Sequence, residues 1–182
     1  MIPIAIASGC AVASQLYKIR RTKSVQGISF TTWLLGTMGS YLNVLEEEDW
    51  IFPVLWILSQ VLLVGFLFYD STQAVYWGLV QMVCSVLLGF HRELPPALYI
   101  LGGLLNAVMW KVQLYHTYRL KQIYSLSLEM VSFQLVCSGL WIWDKSDEGF
   151  RVVPFISAAL FQAILLSLGL YYTFRPQPYS QV

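Results

Sequence analysis

Charge is what this sequence has least of. Of its 182 residues only 12% are Asp, Glu, Lys or Arg, and 57% are hydrophobic; a soluble domain carries about 25% charged residues. A chain so poor in charge cannot cover a globule with polar side chains, which excludes a soluble domain and leaves an integral membrane protein. Cysteine is scarce as well. Cys10, Cys84 and Cys137 each sit inside an apolar segment, which argues against a disulfide framework and against a CxxC metal pattern. The two histidines, His91 and His116, are far apart and lack partner ligands, so a metal site is not expected. The net charge of +1 comes without a basic patch interleaved with aromatics, as a nucleic-acid groove would require, so no nucleic-acid partner is expected. No nucleophile–base set, phosphate loop or metal cluster is present, so neither an enzyme nor a bound cofactor is expected.

What the sequence has instead is a series of apolar runs. Seven can be marked, roughly Ile2–Tyr17, Phe30–Leu45, Trp50–Tyr69, Thr72–Phe90, Pro96–His116, Leu126–Trp143 and Val152–Phe174. A spanning helix needs about 20 apolar residues, so the first two are short and depend on their flanks. The first run resembles a signal peptide only superficially, because its basic residues follow the apolar stretch instead of preceding it.

Charge also sets an expected orientation. If all seven runs span, the 1–2, 3–4 and 5–6 loops and the C-terminus share one side, which holds Lys18, Arg20, Arg21, Lys23, Arg119, Lys121 and Arg175. The opposite side carries Glu46–Asp49, Glu93, Asp144, Asp147 and Glu148, with Arg92, Lys145 and Arg151. A basic excess marks the cytoplasm. The N-terminus is therefore expected to be lumenal or extracellular, and the C-terminus cytosolic.

The chain repeats itself. Ser14–Asn43 aligns without a gap to Val112–Trp141, 98 positions downstream. Gln15, Leu16, Tyr17, Arg21, Lys23, Ser29, Ser40 and Leu42 match Gln113, Leu114, Tyr115, Arg119, Lys121, Ser127, Ser138 and Leu140. The third helices also correspond: Pro53 with Pro154 and, one residue shifted, Gln60 with Gln162 and Tyr69 with Tyr171. Three helices per unit is an odd number, so an immediate second copy would be inverted. Both basic loops nevertheless fall on one side, and an extra helix must turn the chain round between the copies. The expected fold is all-α and integral to the membrane, with seven helices as 3+1+3. Residues 1–70 form the first triple-helix bundle, 71–92 an inverting linker helix, 93–175 the second bundle and 176–182 a cytosolic tail. Parallel repeats of this kind are a transporter design with a site near the midplane.

At this point the residues resemble the PQ-loop, or MtN3/SWEET-like, family. That family repeats a Pro-Gln at the cytosolic end of its first and fifth helices, followed by a basic stretch and a Ser-x-x-Gly-hydrophobic-Ser. Here Ser14-Gln15-Leu16-Tyr17 precedes Arg21-Thr22-Lys23-Ser24-Val25-Gln26-Gly27-Ile28-Ser29, and Val112-Gln113-Leu114-Tyr115 precedes Arg119-Leu120-Lys121 and Leu126-Ser127-Leu128. Both family prolines are missing, replaced by Ser14 and Val112. The resemblance implies a hinge at those two positions. It implies a function among sugar carriers, lysosomal cystine and cationic amino acid exporters, a dolichol-sugar utilisation factor and the similarly folded KDEL receptors.

Polar side chains inside a membrane are costly and usually face the bundle interior. Gln60 and Gln162 sit mid-segment in the third and seventh helices, where SWEET carriers similarly place two asparagines. They are the leading solute-binding candidates; interhelical glue is the plainer reading. Asn43, Asn106 and Trp141 are further candidates, with the lumenal aromatic belt the plainer reading for Trp141. Gln15 and Gln113, next to Ser14 and Val112, suggest a gate or a cap on exposed carbonyls. Asp70, Glu129 and Lys111 are the charges that a coupled mechanism would use, although Lys111 and Glu129 can also snorkel to the interface or pair with each other. No carboxylate lies near the middle of a helix, which favours uncoupled movement of a neutral polar solute.

The expected function is thus a membrane carrier for a small polar solute of sugar or amino acid type, working by alternating access. A KDEL-type receptor and a non-transporting scaffold are the alternatives; the mostly acidic lumenal side counts against the receptor. The expected partners are the lipid bilayer and that solute, and a homo-oligomer is compatible with the fold. The terminal Tyr179–Val182 is similar to a sorting signal read by an adaptor. It tilts the expected location towards a lysosomal or other endomembrane, with a cell-surface or bacterial inner membrane as the alternative.

Overall fold

The computed structural model describes residues 2–44, 51–89, 97–123 and 125–175. The acidic run Glu46–Asp49, the tail signal Tyr179–Val182 and the side chain of Asn43 lie outside the described residues. Seven α-helices occur among the described residues, with no strand: α1 (Ile2–Thr22), α2 (Phe30–Val44), α3 (Ile51–Leu67), α4 (Ser71–Gly89), α5 (Ala97–Leu120), α6 (Leu128–Asp144) and α7 (Val153–Phe174). A 3-10 segment, Ser146–Val152, leads into α7. Two of these helices, α1 and α7, are long and apolar enough to cross a membrane. At 1.5 Å per residue α1 is about 32 Å long, against a hydrocarbon core of about 30 Å.

Helix α1 runs past the apolar stretch to Thr22, so Lys18, Arg20 and Arg21 lie on its last turns and not in a loop. Arg119 extends α5 in the same way. Lysine and arginine are good helix formers, and their charge suits the negative end of a helix dipole. Both helices then stop at a lysine with left-handed backbone, Lys23 (φ 49°) and Lys121 (φ 54°). These are equivalent positions of the repeat. The left-handed residue turns the chain, and Lys121 N–H closes α5 by donating to Thr117 O at 2.9 Å.

Three helix starts, those of α2, α4 and α6, are capped by side chains. Ser127 caps α6, its Oγ accepting from Met130 N at 3.1 Å. Ser29, its repeat equivalent, accepts from Thr32 N at 3.3 Å ahead of α2. Asp70 caps α4, with Oδ1 accepting from Gln73 N at 3.0 Å. Each such bond satisfies one of the orphan N–H groups of a first helical turn.

Packing pairs helices across the repeat. Helix α1 packs on α3 and α6, and α2 on α3, α4 and α5; α5 and α6 both pack on α7. Three apolar clusters hold this together. One centres on Ile19, Leu62, Phe66 and Trp77, where Trp33, Phe66 and Trp77 form a trio with ring centroids 5.5 to 6.2 Å apart. That trio ties α4 to α2 and α3. A second cluster joins Ala11 of α1 to Trp110, Met130, Val131 and Leu165 of the later helices. A third pairs Ile4 with Trp141 at the far end of α1.

Candidate functional site

The end of the molecule that carries Lys18–Lys23 and Arg119–Lys121, hereafter the basic end, is tied shut by two glutamines. Gln15, 0% exposed, sits about two turns from the end of α1. Its Nε2 donates to Ser125 O at 2.8 Å and its Oε1 accepts from Ser127 N at 3.0 Å. Gln113, 1% exposed, does the same from α5. Its Nε2 donates to Gly27 O at 2.9 Å and its Oε1 accepts from Ser29 N at 2.8 Å. Residues 27 and 29 are the repeat equivalents of 125 and 127, so each copy's glutamine clasps the other copy's approach to its second helix. A side-chain amide has one donor group and one acceptor, which matches a carbonyl and an N–H two residues on.

Gln113 has an extra brace, because its Nε2 also donates to Thr117 Oγ1 at 3.2 Å, one turn along α5. Beside the glutamines, Ser14 bonds within its own helix, Oγ to Ala11 O at 2.9 Å. Val112 has no polar group to do so.

The polar residues further from the basic end separate into distinct settings. Gln162 is 1% exposed and accepts a bond from Ser138 Oγ at 2.9 Å, joining α7 to α6. Gln60 differs: its Nε2 is buried and has no hydrogen-bond partner among the described residues. On α5, Asn106 lies against Gly39 of α2. A Cβ at Gly39 would come within 2.8 Å of Gly102 O and 2.9 Å of Asn106 Oδ1, so only glycine lets these two helices approach so closely. The equivalent contact between α1 and α6 is Ser8 against Cys137, Oγ to Sγ 3.4 Å, with Cys137 Sγ donating weakly to Ile4 O at 3.8 Å.

Trp141 is 8% exposed and stacks on Phe155, centroids 5.4 Å apart and planes within 13°. It faces the interior beside Ile4, which the belt reading does not fit; Trp143, at 84% exposure, has the setting of a belt residue. Glu129 begins α6, where its carboxylate accepts from Ser127 Oγ at 2.8 Å. Lys111 is exposed on α5, and among the described residues no ion pair joins it to Glu129. Helix α5 packs chiefly on α2 and α7, not on α6. Asp70 is occupied as the cap of α4.

Sequence reasoning found the two glutamines but not their partners. Ser29 and Ser127 were visible as identical residues of the repeat. Gly39, Ser8 and Cys137 carried no signal, because their importance lies in which helix faces them.

The comparisons with known proteins agree with the resemblance in the first copy. Residues 15–46 match the PQ loop repeat. No curated protein and no solved structure matches the chain. The PQ loop repeat belongs to membrane proteins of transporter or receptor type, and the apolar α1 and α7 accord with a membrane protein. The chain thus carries a PQ-loop repeat, and its first glutamine clasp, Gln15, opens the matched stretch.

Proposed function

We propose that this protein is a membrane carrier that moves a small, polar, uncharged solute of sugar or amino acid type by alternating access, without ion coupling. The observation that carries the proposal is the difference between Gln60 and Gln162. A buried amide N–H without a partner costs about 1–3 kcal/mol, and a chain that wanted only interhelical glue would have closed both amides. The Gln162 Oε1 accepts from Ser138 Oγ, whereas Gln60 Nε2 is buried with no partner among the described residues. A solute oxygen is the natural acceptor, and Asn43, Asn106 and Trp141 are assigned to the same polar layer.

The proposed architecture is two triple-helix bundles, α1–α3 and α5–α7, with α4 as linker. The pairings α1 with α6 and α2 with α5 support it, since these are the two seams expected between copies related by a twofold axis along the membrane normal. The basic end is assigned to the cytosol. Gln15 and Gln113 then form the inner gate, with Ser14 and Val112 at its hinges. Asp70, Glu129 and Lys111 take capping and interface roles in place of ion coupling.

The test is uptake of radiolabelled sugars and amino acids into proteoliposomes holding the purified protein. Gln60→Ala and Gln162→Ala are each expected to abolish uptake of the solute that wild type carries. Absence of flux for every solute in the panel, or wild-type flux through Gln60→Ala, would reject the carrier.

A further inference from the structure

The two gate clasps are equivalent in sequence position but not in build, and three differences between them point the same way. We infer that the basic end opens on one side only: α1 swings away from α6, while α2 and α5 stay together as the pivot. The inference rests on the carrier reading, because it supposes an end that opens.

Three observations support it. First, the Gln113 amide is braced from its own helix by Thr117 Oγ1 at 3.2 Å while it holds Gly27 and Ser29. At the equivalent position in α1 stands Ile19, which has no hydroxyl, so the Gln15 amide reaches Ser125 and Ser127 unbraced. Second, Ser14 next to Gln15 turns its hydroxyl back onto Ala11 O at 2.9 Å. Such back-bonding competes with the helix's own ladder and promotes bending. Val112, in the same place on α5, has no hydroxyl to back-bond. Third, the seams are built differently. α2 and α5 meet at backbone distance, where even a Cβ on Gly39 would lie 2.8 Å from Gly102 O. α1 and α6 meet there through side chains, Ser8 and Cys137, in a thiol contact of 3.4 Å. Thiols are weak hydrogen-bonding groups, so this seam parts at lower cost.

One effect opposes the opening. Lys18 on α1 attracts Glu129 on α6, but Glu129 is exposed and Lys18 only half-buried, and solvent screens such pairs.

The experiment measures two equivalent distances at the basic end. Spin labels are placed on Tyr17 and Glu129 to report α1–α6, and on Tyr115 and Thr31 to report α2–α5; all four side chains are exposed. Cys10 and Cys84 are replaced by serine, the buried Cys137 is kept because it forms the α1–α6 seam, and the full chain is reconstituted in nanodiscs. Expected is a second, longer distance for Tyr17–Glu129, whose population rises about fivefold in Gln15→Ala. Tyr115–Thr31 is expected to keep one narrow distance in both proteins. Equal lengthening of both pairs, lengthening of Tyr115–Thr31 alone, or no second distance at either pair would overturn the inference. Because the readout is distance, the two readings fail separately. One-sided opening without flux of any panel solute would sink the carrier and keep the hinge. Flux with both pairs opening alike would sink the hinge and keep the carrier.

Discussion

Gln15 and Gln113 each hold the backbone of the other's copy: Gln15 bonds Ser125 O and Ser127 N, and Gln113 bonds Gly27 O and Ser29 N. The exchange explains why glutamine recurs at this position. The amide must donate and accept at once, in a place where neither glutamine is more than 1% exposed. A carboxylate could accept from the N–H but would face the carbonyl with like charge, and an apolar side chain would leave both backbone groups stranded.

The first prediction concerns stability. Gln113→Leu leaves Gly27 O and Ser29 N unpaired in a buried setting, and Gln15→Leu does the same to Ser125 O and Ser127 N. Each is expected to cost about 2 kcal/mol or more, since an unsatisfied buried group costs about 1–3 kcal/mol. Gln113→Leu also loses the brace to Thr117 and is expected to cost more than Gln15→Leu. Denaturant unfolding in detergent, followed by tryptophan fluorescence, measures both; negligible losses would contradict the clasp, and equal losses the brace.

Glycine substitutions give a second, internally controlled prediction. Gly78 and Gly139 have open space where a Cβ would go, and both are helical. Alanine there is expected to be neutral or to stabilise by about 0.5–1 kcal/mol, because glycine in mid-helix costs that much. Gly39→Ala meets Gly102 O, a backbone atom that cannot rotate away. It is expected to lower the melting temperature and the yield of folded protein, by about 1–3 kcal/mol as for overpacking elsewhere. Gly36→Ala meets only the thioether of Met109, a flexible side chain, and is expected to fall between these cases. Parallel thermal melts of the four variants decide the ordering.

Ser127 is asked to do three things. It caps α6 through Met130 N, offers its own N–H to Gln15, and donates its hydroxyl to Glu129. Only the backbone bond survives Ser127→Ala. That change is expected to cost about 1 kcal/mol, the usual worth of an N-cap. Ser127→Asn, which can still cap, is expected to recover most of it. Chemical denaturation of the three proteins tests this; an alanine variant as stable as wild type would show that the cap contributes nothing.

Much of this fold could be read from the chain because apolar helices advertise themselves by composition. All seven apolar runs correspond to helices among the described residues. Their ends could not be read in the same way. Lys18, Arg20 and Arg21 look like a loop on a hydropathy scale, yet they continue α1 because their backbone prefers helix and their long stems let the charges reach water. The glutamines were legible as a recurring pair. Their bonds were not, since each spans more than 80 residues of sequence. Trp141 shows the opposite failure. Its place near a helix end suggested the lipid interface, and only the ring of Phe155 reveals that it faces inward.

Asp70 separates a structural carboxylate from a working one. Its Oδ1 accepts from Gln73 N at 3.0 Å and its carbonyl from Ala74 N at 3.1 Å, the pattern of an N-cap at the start of α4. Asparagine caps helices as well as aspartate, whereas alanine does not. Asp70→Asn is therefore expected to melt like wild type, and Asp70→Ala to lose about 1 kcal/mol. Flux adds the second arm. If the solute moves without ion coupling, Asp70→Asn keeps both the wild-type rate and its pH dependence in proteoliposomes, because the oxygen that caps α4 is still there. A proton relay needs a group that titrates, which an amide does not provide. An Asp70→Asn protein of normal stability whose uptake no longer responds to a pH gradient would move Asp70 from the cap into the coupling machinery.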